Sequence, residues 1–230
     1  MLILASASPR RQELLRNAGI PFVVQAAAIE EKVRDGELPR DCAERLAREK
    51  SVAVSRTRPG DCILGADTIV VVDGNILGKP RDAADAARML RLLSGRVHEV
   101  ITGVCVVRAG ARDQGSGVSN GRTVVSGQWL GASKSKTHPG PALGSVDEQL
   151  TTDERRLTTA SEITLVTMSE LSDGDIREYV ATGEPMDKAG AYAIQGIASR
   201  WIPRIESDYS NVVGLPVALV YRMLREQGAL

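Results

Sequence analysis

The chain is short of the residues that carry the commonest nucleophilic and soft-metal chemistries. Its 230 residues include two histidines, His98 and His138, which argues against a histidine-rich metal site or a serine triad. His98, on an expected strand, reads as a structural or surface residue, and any metal would be a hard ion bound by oxygen. Three cysteines, Cys42, Cys62 and Cys105, are far apart, odd in number and set among apolar neighbours. That pattern fits reduced core thiols and argues against disulfides or zinc. Net charge is also missing: lysines plus arginines and aspartates plus glutamates number 29 each, so no overall field exists to hold a long polyanion, which argues against nucleic acid as the main partner. A small anion held by a local basic cluster remains open. No apolar run approaches membrane length, and the run Leu2 to Ala5 is too short and lacks the basic flank of a signal peptide, so the expected compartment is the cytoplasm. With 43% hydrophobic and 25% charged residues, what remains is ordinary globular material, enough for one sizeable core or two small ones.

The most informative stretch runs from Gly65 to Pro80. Ile69 to Val72 are four consecutive β-branched residues, followed by Asp73-Gly74 and the apolar pair Ile76 and Leu77, and together they predict a buried strand turning into a hairpin. Asp67 and Lys79 fall near its two free ends, where a carboxylate and an ammonium entering a dry sheet must be paired, metal-bound or neutralised. A two-residue Asp73-Gly74 loop would set Lys79 opposite Thr68 and point Asp67 to the other face. A three-residue loop through Asn75 would set Lys79 across from Ile69, on Asp67's face.

Along the chain, a strand at Leu2 to Ala5 leads into Ser6-Ala-Ser-Pro-Arg-Arg11 and a helix ending at Gly19. Ser8 is a natural N-cap and Pro9 the favoured first helical residue, so free backbone N–H groups, the positive helix end, Arg10 and Arg11 converge as they do in phosphate sites. A strand at Pro21 to Gln25 precedes a loop holding Glu30 and Glu31. The next helix, Asp41 to Arg56, carries Lys50 on its apolar stripe, four residues after Leu46 and four before Val54. Its head therefore points inward or past the helix edge, either as a snorkelling stem or as an ammonium reaching a phosphate. A helix from Asp82 to Ser94 follows, then a strand from Val97 to Val107 whose antiparallel partner is expected at Glu162 to Met168. Between them, residues 108–160 lack sustained periodicity and read as an insertion, flexible or an extension of the hairpin with a small cap around Val124 to Leu130. The P-loop-like Gly127 to Ser135 has the wrong spacing and no strand-to-helix switch around it. A helix over Ser172 to Thr182 leads to a loop of small residues and glycines ending in Gln195-Gly196, where the Gln195 amide offers both donors and an acceptor to a base edge. A strand at Trp201 to Glu206, a loop at Asp208 to Val213 and a helix at Leu215 to Arg225 complete the chain.

Six runs in this order resemble the Maf family of nucleoside-triphosphate pyrophosphatases: Ser-Ala-Ser-Pro-Arg-Arg at 6–11, Ile-Glu-Glu at 29–31, Arg-Leu-Ala-Arg-Glu-Lys at 45–50, Gly-Ala-Asp-Thr at 65–68, Gly-Lys-Pro at 78–80 and Asp-Lys-Ala-Gly-Ala-Tyr-Ala-Ile-Gln-Gly at 187–196. The resemblance implies one α/β domain over residues 1–230, with a mixed twisted sheet flanked by helices around a central substrate cleft. It implies metal-dependent hydrolysis of the bond between the α- and β-phosphates, with Mg²⁺ or Mn²⁺ as cofactor. By that resemblance Asp67 is the catalytic proton acceptor, Glu31 and Asp67 hold the metal, and Ser8, Arg11, Lys50 and Lys79 bind phosphate. Arg10, Thr68 and Gln195 match positions linked to substrate choice, and the Gln195 loop looks like the branch acting on dTTP and UTP. The same chemistry on 7-methyl-GTP, and a nucleotide-binding regulator without catalysis, are the alternatives. A homodimer is also implied by the resemblance; the long insertion departs from the family pattern.

Overall fold

The computed structural model describes residues 1–109 and 155–230. Seven strands form one mixed sheet in the order β2, β1, β3, β5, β6, β7, with β4 added to β3. They are β1 (Leu2–Leu4), β2 (Val23–Val24), β3 (Cys62–Val72), β4 (Asn75–Leu77), β5 (Val97–Ala109), β6 (Arg155–Thr167) and β7 (Arg204–Glu206). The helices are α1 (Pro9–Asn17), α2 (Pro39–Ser55), α3 (Ala83–Leu93), α4 (Asp173–Ala181), α5 (Tyr209–Val213) and α6 (Val217–Glu226). This is the mixed α/β sheet flanked by helices that the family resemblance implies.

Strand β3 organises the molecule because its two edges are occupied differently. On one edge β5 pairs with it antiparallel without interruption, from Cys62↔Arg108 to Val71↔Glu99. On the other edge β1 pairs in parallel only with Cys62 to Leu64, and β4 pairs antiparallel only with Val70 to Val72. The middle of β3 therefore has no strand neighbour on that side, and Asp67 and Thr68 lie in the opening.

Alternation along β3 separates two cores. Ile63, Ile69 and Val71 face α2, while Leu64 and Ala66 pack with α1 and α6, and Val70 and Val72 with α3 and α4. Helix α2 lies unusually close to the sheet because glycines face it. A Cβ on Gly65 would fall 2.5 Å from the Ala47 carbonyl oxygen, and one on Gly103 would fall 2.3 Å from that of Ala43. Ala43, Ala47 and Ser51, spaced by four, form the small-residue face that fits this approach.

Some boundaries differ from the sequence reading. Strand β6 begins at Arg155 and pairs with β5 residue by residue out to Ala109↔Arg155, so residues 108–109 and 155–160 are sheet. Thr158 and Thr159 are good strand formers on backbone grounds, but they leave no apolar alternation to read. The expected cap around 124–130 and the P-loop-like stretch 127–135 lie outside the described residues. Trp201 ends a 3-10 turn, Ile197–Trp201, instead of opening a strand, and packs edge to face on Tyr179 at 5.5 Å. The expected loop after Asp208 is helix α5, whose first turn is capped by the Asp208 carboxylate accepting from Ser210 and Asn211 N–H. His98 is structural: it is buried, with Nε2 2.8 Å from the Tyr192 hydroxyl. All three cysteines are free and buried.

Candidate active site

A cleft of about 690 Å³ opens along the unpaired middle of β3. Each of the nine residues singled out from sequence lines it: Ser8, Arg10, Arg11, Glu31, Lys50, Asp67, Thr68, Lys79 and Gln195. The hairpin turn has two residues, with Val72 opposite Asn75, and Asp73 (φ 50°) and Gly74 (φ 73°) are both left-handed as a type I′ turn requires. Asp67 and Thr68, neighbours in a strand, point to opposite faces of the sheet; β4 ends at Leu77, so that register does not hold Lys79, whose ammonium pairs with Glu31 on the Asp67 side. Both reach one cleft because no strand covers that edge of β3.

On the α2 face the centre is an ion cluster. Lys50, 7% exposed, donates from Nζ to Asp67 Oδ1 at 2.5 Å and to Glu31 Oε1 at 2.6 Å. Lys79 Nζ approaches Glu31 Oε2 at 3.4 Å from the rim. The inward-pointing ammonium is a consequence of the close packing of α2 on Gly65 and Gly103, which brings the helix edge within one lysine length of β3. Burial raises the Glu31 carboxyl, but the hydrogen bond and charge of Lys50, reinforced by Lys79, outweigh it and hold Glu31 below its ordinary value. No described residue hydrogen-bonds Asp67 Oδ2.

On the other face the centre is Arg11. Its guanidinium donates from Nε to the Gly214 carbonyl at 2.8 Å, from Nη1 to Ser6 Oγ at 3.1 Å and from Nη2 to Thr68 Oγ1 at 3.0 Å. Thr68 Oγ1 lies 2.9 Å from Thr102 Oγ1, whose hydroxyl donates to the Asn211 carbonyl at 3.3 Å. Burial lowers the Arg11 pKa against the pull of Asp67 and Glu31, and the fixed acceptors around it lock the guanidinium in place. Ser8 caps α1 as expected, its Oγ accepting from Arg11 N–H at 3.5 Å, so the helix N-terminus opens on the cleft. Arg10 pairs with Asp187 at 3.5 Å across the mouth, and Gln195 is exposed on the loop beyond it.

The family model for Maf-like proteins matches residues 1–128 and 129–227. The chain belongs to the Maf-like family. Curated relatives align over essentially the whole chain. A dTTP/UTP pyrophosphatase of Koribacter versatilis is 47% identical over 100% of this chain and 95% of its own length. A dTTP/UTP pyrophosphatase of Symbiobacterium thermophilum is 45% identical over 99% and 94%, and one of Syntrophomonas wolfei is 43% identical over 98% and 96%.

In this Maf-like chain several cleft residues escape a reading by spacing. Ser6 and Gly214 hold Arg11, yet Gly214 is 203 residues from it in sequence. Asp187 and Tyr192 line the cleft too, and both lie in the run 187–196 that resembles the family, so that run contained a signal for them. Thr102 in β5 and Asn211 in α5 do not line the cleft but back Thr68 from behind, and they are found only through their bonds. Among the described residues, no helix is long and apolar enough to cross a membrane.

Proposed function

We propose that the chain is a divalent-metal-dependent pyrophosphatase that hydrolyses dTTP and UTP to the monophosphate and pyrophosphate. The observation that carries this reading is the carboxylate–ammonium–carboxylate cluster of Glu31, Lys50 and Asp67 on the floor of a cleft whose other wall is the capped N-terminus of α1. The names of full-length relatives above 40% identity supply the substrate pair.

The fit of a divalent ion is tested by Lys50 itself. Its ammonium already bridges one oxygen of each carboxylate, so the two side chains are oriented to share a cation. Both donors are hard oxygens, suited to Mg²⁺ or Mn²⁺. No group of three or more His, Cys, Asp or Glu side chains gathers among the described residues, so Glu31 and Asp67 would hold the ion with water and substrate oxygens completing its shell. When bound, such an ion offsets triphosphate charge and polarises the scissile phosphoryl group.

In this reading Asp67 takes the proton of a water that attacks the α-phosphorus as the bond to the β-phosphate oxygen breaks. Pyrophosphate leaves and the nucleoside monophosphate remains. Ser8 and the α1 N–H groups bind phosphate oxygens, as do Lys50 and Lys79. Arg11, held on three acceptors, presents its charge from a fixed position. Arg10, Thr68 and Gln195 select the base and sugar.

The deciding experiment is release of pyrophosphate from dTTP, UTP, CTP, GTP and 7-methyl-GTP, with Mg²⁺ or Mn²⁺ and with chelator. Turnover of dTTP and UTP that chelator abolishes is the expected result. Preference for 7-methyl-GTP would overturn the substrate assignment and keep the chemistry, whereas binding without turnover by folded protein would overturn the chemistry.

A further inference from the structure

The Gln195 side chain has no hydrogen bond among the described residues, yet the chain on either side of it is tied down. Ala193 N–H donates to the Tyr179 hydroxyl oxygen at 3.2 Å, and Ile197 N–H donates to both Glu184 carboxylate oxygens at 3.1 and 3.2 Å. The Tyr179 hydroxyl donates in turn to Glu184 Oε1 at 2.9 Å, closing a single network that spans the loop two residues before and two residues after Gln195. Tyr179 is itself fully buried and meets the Trp201 ring in a T-shaped contact at 5.5 Å. Burial, and next the hydrogen bond to Glu184, push its hydroxyl above the ordinary range, so it stays protonated and remains a donor. Gly196 completes the fit: a Cβ there would fall 2.2 Å from Glu184 Oε1, so the carboxylate occupies the space a side chain would need.

From this geometry we infer that Tyr179 and Glu184 are positioning residues for base selection, holding Ala193 and Ile197 so that the Gln195 amide enters the cleft from one fixed direction. The inference rests on the pyrimidine-triphosphate reading above. Its chemical reason lies in the amide. Uracil and thymine present an N–H donor flanked by carbonyl acceptors, whereas cytosine replaces one carbonyl by an amino donor and the ring N–H by an acceptor. An amide has a donor end and an acceptor end that swap by rotation about its own terminal bond, so a held backbone does not choose the end; it fixes the distance and direction from which the amide meets these edges, and a loosened one blurs the choice between them. Neither Tyr179 nor Glu184 lines the cleft, so their effect on substrate passes through the loop.

The test is steady-state kinetics of Tyr179→Phe, Glu184→Ala and Glu184→Gln on UTP, dTTP and CTP, with each variant's thermal melt recorded. Tyr179→Phe and Glu184→Ala are expected to raise KM for UTP about tenfold and to shrink the UTP-to-CTP ratio of kcat/KM by a similar factor, with kcat changed by less than about threefold. Glu184→Gln keeps an acceptor oxygen for Ile197 N–H and is expected to recover most of the discrimination. A folded Tyr179→Phe or Glu184→Ala with an unchanged UTP-to-CTP ratio overturns the inference, even if its total rate falls. Should Tyr179→Phe fail to fold, the Glu184 pair decides alone: no difference in ratio between Ala and Gln overturns it. Wild-type protein that cleaves no pyrimidine triphosphate fails the function reading itself, and the inference falls with it; an active wild type with an unmoved ratio fails only the inference.

Discussion

Asp67 and Lys50 show how much chemistry rests on single side chains here. Asp67→Asn keeps the shape and an oxygen that accepts from Lys50, so the protein should fold with a near-normal melting temperature. Pyrophosphate release should fall by about 10² to 10⁴, the usual weight of a general base. Wild-type turnover in that variant would remove Asp67 from its role. His98 makes a separate prediction about stability. Desolvation depresses its pKa from 6.5 to about 4. Below pH 6.5 the unfolded chain binds a proton that the folded chain refuses until about pH 4, so stability is lost as pH falls through that window. Between pH 7 and 5 this one group should cost about 2 kcal/mol, read as a lower urea midpoint at pH 5. In His98→Gln that drop should shrink; an equal drop would show that other groups carry it.

At the scale of elements, the approach of α2 to β3 and β5 decides whether the cluster forms. Gly103 is opposite Asp67 in the ladder and faces the Ala43 carbonyl, so Gly103→Ala must push helix and sheet apart. Overpacking of this kind costs about 1–3 kcal/mol, or roughly 3–10 °C in melting temperature at this size. Activity should fall further than stability explains, because Lys50 loses its reach to Asp67. An unchanged melting temperature in Gly103→Ala would contradict the packing described. Legibility differed from element to element for physical reasons. Helix α1 with its Ser8 cap and Pro9, and the place of the hairpin at Asp73-Gly74, are written in local chemistry and match, whereas the choice of a two-residue over a three-residue turn came from the structure. Helix α5 and the first half of β6 are not, since a five-residue helix shows less than two turns of periodicity and a threonine-rich strand shows no alternation.

For the whole molecule, two cores meet along one opened strand edge, and ligand binding there should stabilise everything attached to it. A non-hydrolysable UTP analogue with Mn²⁺ at about 100 times its Kd should add about 2.7 kcal/mol, a rise of roughly 5–10 °C in melting temperature. The analogue without metal should give a clearly smaller rise, because the triphosphate then meets the Glu31 and Asp67 carboxylates with only Lys50 and Lys79 to offset them. Equal rises with and without metal would argue against a shared cation between those two residues.

The inventory can be read from the amino-acid order: strand and helix periods, the capped α1, the reduced cysteines, and nine polar residues in six runs that could belong together. Those properties are local, set by side-chain type and spacing over a few residues. That the nine share one cleft, and how they are held in it, depends on the fold. Asp67 and Thr68 are neighbours that point to opposite faces, and they reach one space only because β1 and β4 leave the middle of β3 uncovered. Lys50 touches Asp67 only because two glycines let α2 down onto the sheet, and Arg11 is locked by a carbonyl 203 residues away. Contacts of that range depend on which surfaces the chain buries together, and burial is a property of the folded molecule as a whole.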